Sequence, residues 1–561
     1  MEGFVDARDF YSQKQFQFIK VQSVSNSKMS LIFGSFPKAA ETPRMKAMAI
    51  QQKEQPMAAT TGFDNERYLE QQSAAILQRV DGANQKLYLE FGGKLLLDYH
   101  AARVLPGFQP EVKMRLLQRL KDRAEVVLCI YAGDIEKKKM RADFGITYDT
   151  DALKTIDELR EWGVTVRAVV ITRFDNQPAA VAFKNKLERR DIRVYTHRAT
   201  KGYPTDVDMI VSEEGYGANP WIETERPIVV VTGPGPGSGK LATCLSQLYH
   251  EHKRGRKVGY AKFETFPIWN LPLKHEVNVA YEAATTELKD VNLIDHFHLE
   301  AYGQTAVNYN RDIEAFPLLR RIIERITGEP SFYKSPTDMG VNRAGFGIVD
   351  DGMCRQAARQ EIIRRYFNYA CEYAMGLVER DSVERVELIM RNLELSTTDR
   401  RVVAPAQEAA RAAQSRGKGS DGFFCGAAIA LKDGRIVTGM NSPLMHAASS
   451  LVLNAVKMLA NIPDTIHLLP TNVTRSLSHF KTDVLKGKVT SLDLEETLIA
   501  LSISALMNPA AEAAIEHLKV LHGCDVHLTH IPSPGDAAGL RKLGVNATSQ
   551  PEFASKYLFV S

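Results

Sequence analysis

The chain has little of what would tie it to a membrane, to an oxidising compartment or to nucleic acid. Its apolar runs are short, and none approaches the ~18 residues that a spanning helix needs, so no membrane partner is expected. Six cysteines (Cys129, Cys244, Cys354, Cys371, Cys425 and Cys524) are scattered with no C-x-x-C pair. That argues against a disulfide framework or structural zinc and fits reduced thiols in a cytoplasmic setting. Charge of one sign is scarce as well. The formal surplus is +4, and residues 1–62 alone hold eight Lys or Arg against five Asp or Glu. The remainder is therefore nearly neutral and carries no basic footprint for nucleic acid.

What is present suits a large soluble α/β protein. Length suggests three or four domain-sized units, and 44% apolar with 25% charged residues is enough to build sizeable cores. Residues 1–62, rich in Gln, Ser, Lys and Met, read as a disordered extension. No secretory signal is visible there; organelle targeting stays open, although Glu2, Asp6 and Asp9 are unlike an acid-poor transit peptide, and Met45, Met48 or Met57 are alternative starts. From Phe63, strand-like "KLYLEF", "EVVLCIYAG", "TVRAVVITRF" and "IRVYTHR" alternate with helical stretches, predicting a Rossmann-like parallel-sheet domain over 63–224. The strand-like run ends in polar Lys94, Asp98, His100 and Arg103.

A central domain over 225–395 is built around "PIVVVTGPGPGSGK". The apolar run Ile228 to Val231 predicts a buried strand, and Leu241, Cys244, Leu245, Leu248 and Tyr249 recur at helical spacing after the turn. Strand, glycine loop, lysine and helix make a phosphate cradle: Gly233, Gly235, Gly237, Ser238 and Gly239 bring backbone N–H groups to the anion, and Lys240 reaches its outer oxygens. The common pattern has glycine where Pro234 stands and a hydroxyl where Leu241 stands. Thr243, Ser238 or Thr232 could substitute for that hydroxyl. ATP or another purine nucleotide with Mg²⁺ is the expected ligand. Glu264, at the exit of "KVGYAKF", and Asp295, after "NLI", are the expected magnesium carboxylates if those strands lie beside the cradle. Lys240, Asp295 and Arg311 are the catalytic candidates, and Asn308, Lys334, Asp338 and Asn342 the substrate contacts for a small anionic metabolite.

Residues 396–420 read as a low-complexity linker, and 421–561 as a C-terminal α/β/α domain suited to packing or dimerisation, hence a homo-oligomer. Its opening, "CGAAIALKDGRIVTGMNSPLMHAASSLVLNAVKML", resembles cytidine-deaminase-type domains. His446 stands where a zinc ligand would be, but the catalytic glutamate and the downstream cysteine pair are missing, so the resemblance implies the scaffold without its chemistry.

From Phe63 to the end, "FGGKLLLDYHAARVLPGF", "GYPTDVDMIVSEEGYG", "GPGPGSGKLATCLSQLYHEHKRG", "GYAKFETFPIWNLPLKHEVN" and "SPTDMGVN" resemble a largely bacterial family of roughly five hundred residues known only as a domain of unknown function. That resemblance implies no particular reaction. The "GSGK" loop with a distant "KFE" is similar to dethiobiotin and CTP synthases, which activate an oxygen by phosphorylation. Two readings follow: a P-loop enzyme transferring phosphoryl groups or coupling ATP cleavage to ligation, and a nucleotide-sensing or assembly protein that binds without turnover.

Overall fold

Seven short segments rich in Val, Ile and aromatic residues form one parallel sheet. The computed structural model describes residues 61–81, 86–141, 145–487 and 490–555. From edge to edge the strands are Gly340–Val341, Val258–Phe263, Lys86–Phe91, Ile228–Thr232, Ala124–Tyr131, Thr165–Thr172 and Val194–His197, every pair parallel. Ile228 to Val231 are wholly buried because both faces of the sheet are covered, as continuous apolar strands require. Helices Lys240–Lys253 and Asn310–Thr327 pack on one face through Cys244, Leu245, Leu248, Phe316 and Ile322. Helices Asn65–Asp81 and Asp351–Ala374 pack on the other through Leu69, Ile76, Ile362 and Ile363.

The order of the strands corrects the expected division at 224/225. The chain leaves Lys86–Phe91 toward the Val194–His197 edge, then returns to insert Ile228–Thr232 between Lys86–Phe91 and Ala124–Tyr131. It next crosses Lys86–Phe91 to lay down Val258–Phe263. Residues on either side of 224 therefore share one hydrogen-bonded sheet. The reversal at Ile228–Thr232 makes the carboxyl ends of the central strands a topological switch point, where open parallel sheets collect ligands. Asn292–Ile294 lies outside this sheet and pairs antiparallel with Val307–Tyr309.

Residues 396–420 are not a bare linker. Helix Val403–Ser415 buries Val403, Ala406, Ala409 and Ala413, and small alanines let it lie close to a second sheet. At Gly426 on that sheet, an added Cβ would stand 2.1 Å from the Ala406 carbonyl oxygen, so only glycine admits the helix at this distance. The second sheet runs Ile436–Met440, Gly426–Ala430, Asp525–Leu528 and Asn546–Ser549; Gly426–Ala430 is antiparallel to both neighbours, and the last pair is parallel. This C-terminal unit meets the large sheet's helices where Cys371 Sγ, on helix Asp351–Ala374, lies 3.1 Å from the Ser549 carbonyl; within the unit, buried Arg400 donates to Asp525 and to the Asn546 carbonyl. Among the described residues no helix is long and apolar enough to cross a membrane. The expected extension lies outside the described residues up to Thr60; Gly62, by contrast, accepts hydrogen bonds from Val349 and Asp350.

Candidate functional site

The loop after Ile228–Thr232 is bent by two glycines that other residues would strain. Gly237 has φ +72° and Gly239 φ +87°, both left-handed, and Gly239 is the cap of helix Lys240–Lys253. The loop is pinned from the Thr165–Thr172 side: Thr172 Oγ1 donates to the Ser238 carbonyl at 2.8 Å, and Arg173 to the Gly237 carbonyl at 2.7 Å. The Arg173 guanidinium also stacks 3.4 Å from the ring centroid of Tyr131. Lys240 Nζ folds back over the turn, 3.3 Å from the Gly235 carbonyl and 3.4 Å from Ser238 Oγ. The amides of Gly235, Gly237, Ser238, Gly239 and Lys240 donate to no other described residue. With the positive end of a 14-residue helix behind them, they form a nest able to receive oxyanions. Thr243 does not join it: fully buried, its hydroxyl faces Cys129 Sγ at 3.4 Å.

Two strands away lies a second polar group. Glu90 pairs in register with Val231 on one side and Lys262 on the other, which puts Lys262 roughly 10 Å across the sheet from the loop's strand. Lys262 Nζ bridges Glu264 at 2.9 Å and Asp312 at 2.5 Å. A pocket between them and Trp269, Asn308, Thr337 and Asn342 opens here. Burial pushes the Glu264 carboxyl up to about 7; Lys262 opposes the shift, and Asp312 and Glu90 add to it. Lys262 itself is raised by its carboxylate neighbours against the pull of burial, so it stays charged. Glu264 has room because residue 92 is glycine: a Cβ there would stand 2.9 Å from its Cγ. Arg311, beside Asp312 at the start of its helix, pairs with Asp290 at 3.3 Å. Tyr281 and Tyr309 stack at 5.9 Å, and the Asp290 Oδ1 and Tyr309 hydroxyl atoms are buried without a partner among the described residues.

The expected residues thus divide. Glu264, Asn308 and Asn342 converge on the pocket, with Arg311 on the helix that supplies Asp312. The two asparagines are held by the backbone: Asn342 Nδ2 donates to the Thr265 and Pro267 carbonyls, and Asn308 Oδ1 accepts from the Tyr309 amide. Asp295 is not a metal carboxylate at the cradle. Its strand has left the main sheet, and its fully buried side chain caps helix His296–Tyr302 through the His298 amide while accepting from Thr337 Oγ1 at 2.7 Å and N at 3.2 Å. Asp338 turns toward the Tyr302 hydroxyl at 2.6 Å, and exposed Lys334 lies 5.7 Å from the Tyr302 ring centroid. Among the described residues no three His, Cys, Asp or Glu side chains are grouped to hold a metal ion. His446 is paired to Asp536 at 2.7 Å. Sequence reasoning assigns no role to Asp312, Glu90 or Arg173, which look like ordinary surface or strand charges until the sheet order brings them in.

The fold and these two groups define an α/β protein whose parallel sheet carries a glycine loop and a buried acid pocket at its carboxyl edge. The chain belongs to the family described as domain of unknown function DUF1846: the N-terminal model matches residues 61–394 and the C-terminal model residues 398–559. It is 56% identical to a UPF0371 protein of Clostridium tetani over 498 residues, 89% of this chain and 99% of that protein. UPF0371 proteins of two Clostridium botulinum strains, 657 (Type Ba4) and Alaska E43 (Type E3), are each 57% identical over the same shares.

Proposed function

We propose that the protein binds ATP or another purine nucleotide by its phosphates at Gly233–Lys240, and transfers a phosphoryl group to, or drives ligation of, a small anionic substrate beside Lys262 and Glu264. The observation that carries this reading is the loop: two left-handed glycines at the switch point of a parallel sheet, amides turned from every described acceptor, and Lys240 folded across them. A carboxyl raised to about 7 is suited to accept the proton of an acceptor hydroxyl as its oxygen attacks the terminal phosphorus and the diphosphate leaves. Lys262 and Arg311 supply positive charge beside it. Two of the donors expected for magnesium, Asp295 and Thr243, are spent on internal contacts, so no step is assigned to that ion. Those two placements favour a second reading, nucleotide binding without turnover.

The homo-oligomer has support in an exposed apolar face on and after helix Leu494–Ala505, where Ile499, Ile503 and Met507 recur every four residues.

Calorimetry with ATP on wild type and Lys240→Ala tests the first step; the expected loss is about tenfold or more, for one charge-assisted contact. Equal affinity in both proteins, or none in wild type, ends the proposal. ADP release over a panel of small acids and alcohols then separates the readings: turnover that Glu264→Gln removes supports the enzyme, and binding without turnover supports the sensor.

A further inference from the structure

In the middle of helix Asp351–Ala374, fully buried Glu361 is surrounded by more positive charge than it can neutralise. Arg364 meets it in bidentate fashion at 2.6 and 2.9 Å, Arg365 Nε at 2.9 Å and Arg103 Nε at 2.7 Å. Those contacts take up the roughly four acceptor sites of a carboxylate, while three guanidiniums carry about fifteen N–H groups. Among the described residues Glu361 is the one carboxylate within ion-pair distance of any of the three. His100 adds no charge. Burial pushes it down to about 4, and its Nδ1 lies 3.3 Å from both Glu361 Oε1 and Arg365 Nη2.

Among the described residues two positive charges are left over. Arg400 nearby is matched by Asp525 at 3.1 Å, and burial raises the Glu372 carboxyl on the same helix, which weakens it as a counter-charge. Two buried nitrogens point to something further: among the described residues Arg103 Nη2 and His100 Nε2 have no hydrogen-bond partner, and a buried guanidinium N–H is rarely left so. Arg103, Arg364 and Arg365 nonetheless keep 12–17% of their side chains exposed, so the cluster reaches solvent at the junction with the C-terminal unit.

We propose that Arg103, Arg364 and Arg365 form a second anion site, for a phosphate dianion, either inorganic phosphate or the phosphomonoester end of a metabolite. Phosphate supplies about 1.5 to 2 negative charges at neutral pH, nearer to the surplus than the single charge of a carboxylate. Its oxygens can each accept from a different guanidinium, which suits three forks converging from two helices. Glu361 is then a positioning residue that orients the arginines. The site shares no residue with the glycine loop.

The test uses the full chain carrying Lys240→Ala, so that the loop contributes less. Calorimetry and thermal shifts are run with inorganic phosphate, glycerol 3-phosphate and acetate at equal ionic strength. Saturable binding of one phosphate or one phosphomonoester, with acetate inert, is expected; Arg103→Gln and Arg365→Gln should each weaken it by about tenfold or more. A tighter phosphomonoester identifies a metabolite, and equal affinities identify free phosphate. The proposal is overturned if neither phosphate compound exceeds acetate, or if binding persists in both arginine variants. Should one of these variants not fold, the other decides by the same criterion.

Discussion

Glu264→Gln should make the protein more stable at alkaline pH while disabling its pocket. Burial raises the Glu264 carboxyl from 4.5 to about 7, with Asp312 and Glu90 adding to the shift. In the unfolded chain the group ionises near 4.5, so between that pH and 7 the native state holds a proton that the unfolded state has lost. Stability is then greatest below 4.5 and falls as pH rises, by ~1.4 kcal/mol per pH unit from this group alone. The total reaches about 3 kcal/mol by pH 7 and levels off above it. Glutamine cannot ionise, keeps an oxygen for Lys262, and leaves the Lys262–Asp312 pair at 2.5 Å in place. The assay is urea unfolding from pH 4.5 to 8.5 followed by tryptophan fluorescence, with Trp269 lining the same pocket. The variant's stability relative to wild type should climb by about 3 kcal/mol across that range. Parallel curves would refute the reasoning, because they would mean that Glu264 is solvated like any surface carboxylate.

Three further substitutions probe the neighbouring architecture. Gly239→Ala combines φ +87° with a Cβ 2.7 Å from Thr172; it should cost about 2–4 kcal/mol in chemical denaturation and abolish nucleotide binding, and a variant with wild-type stability would contradict the loop geometry. Asp295→Asn should cost about 1–3 kcal/mol of stability through its lost bonds to Thr337 while leaving ATP affinity unchanged by calorimetry; a stable variant with impaired binding would return Asp295 to the cradle. Lys113→Met breaks a buried pair with Asp98 at 2.7 Å and should cost about 3–5 kcal/mol at pH 7 in urea unfolding, partly restored by adding Asp98→Asn. Burial alone would raise Asp98, but Lys113 outweighs it and holds the carboxyl down at about 2. The pair's stabilisation is therefore present above about pH 4 and fades as pH falls toward 2, and a cost unchanged at pH 2.5 would contradict it.

Much of the sheet is legible in the chain because its strands are continuous apolar runs bounded by turns, and Ile228–Thr232 followed by glycines announces a loop and helix without further context. Strand order is another matter. Nothing local to Lys86–Phe91 says that its neighbours are Ile228–Thr232 and Val258–Phe263, so from the chain alone one sheet reads as two domains, with Glu264 nearer the loop. Asp295 shows a related ambiguity. A carboxylate after a short apolar run is equally a ligand at a strand exit and a helix cap, and only the pairing of Asn292–Ile294 outside the sheet decides for the cap. Alanine-rich 403–415 looks like low complexity, yet small side chains are what a helix needs to lie against Gly426. Nothing local to Arg364 and Arg365 announces that Arg103, from a distant segment, meets the same carboxylate.

The interleaved sheet also sets a timetable. Glu90 and the Tyr260 hydroxyl that donates to it are 170 residues apart, so when Lys86–Phe91 emerges during synthesis neither of its strand neighbours exists. At ~5–20 residues per second it waits roughly ten to thirty seconds, an apolar strand with both edges unpaired. Closing so long a loop before any pairing is rewarded is slow. The half-made chain is therefore the protein's most aggregation-prone form, and a truncation near residue 224 does not yield a smaller domain; it leaves the sheet without its central strand.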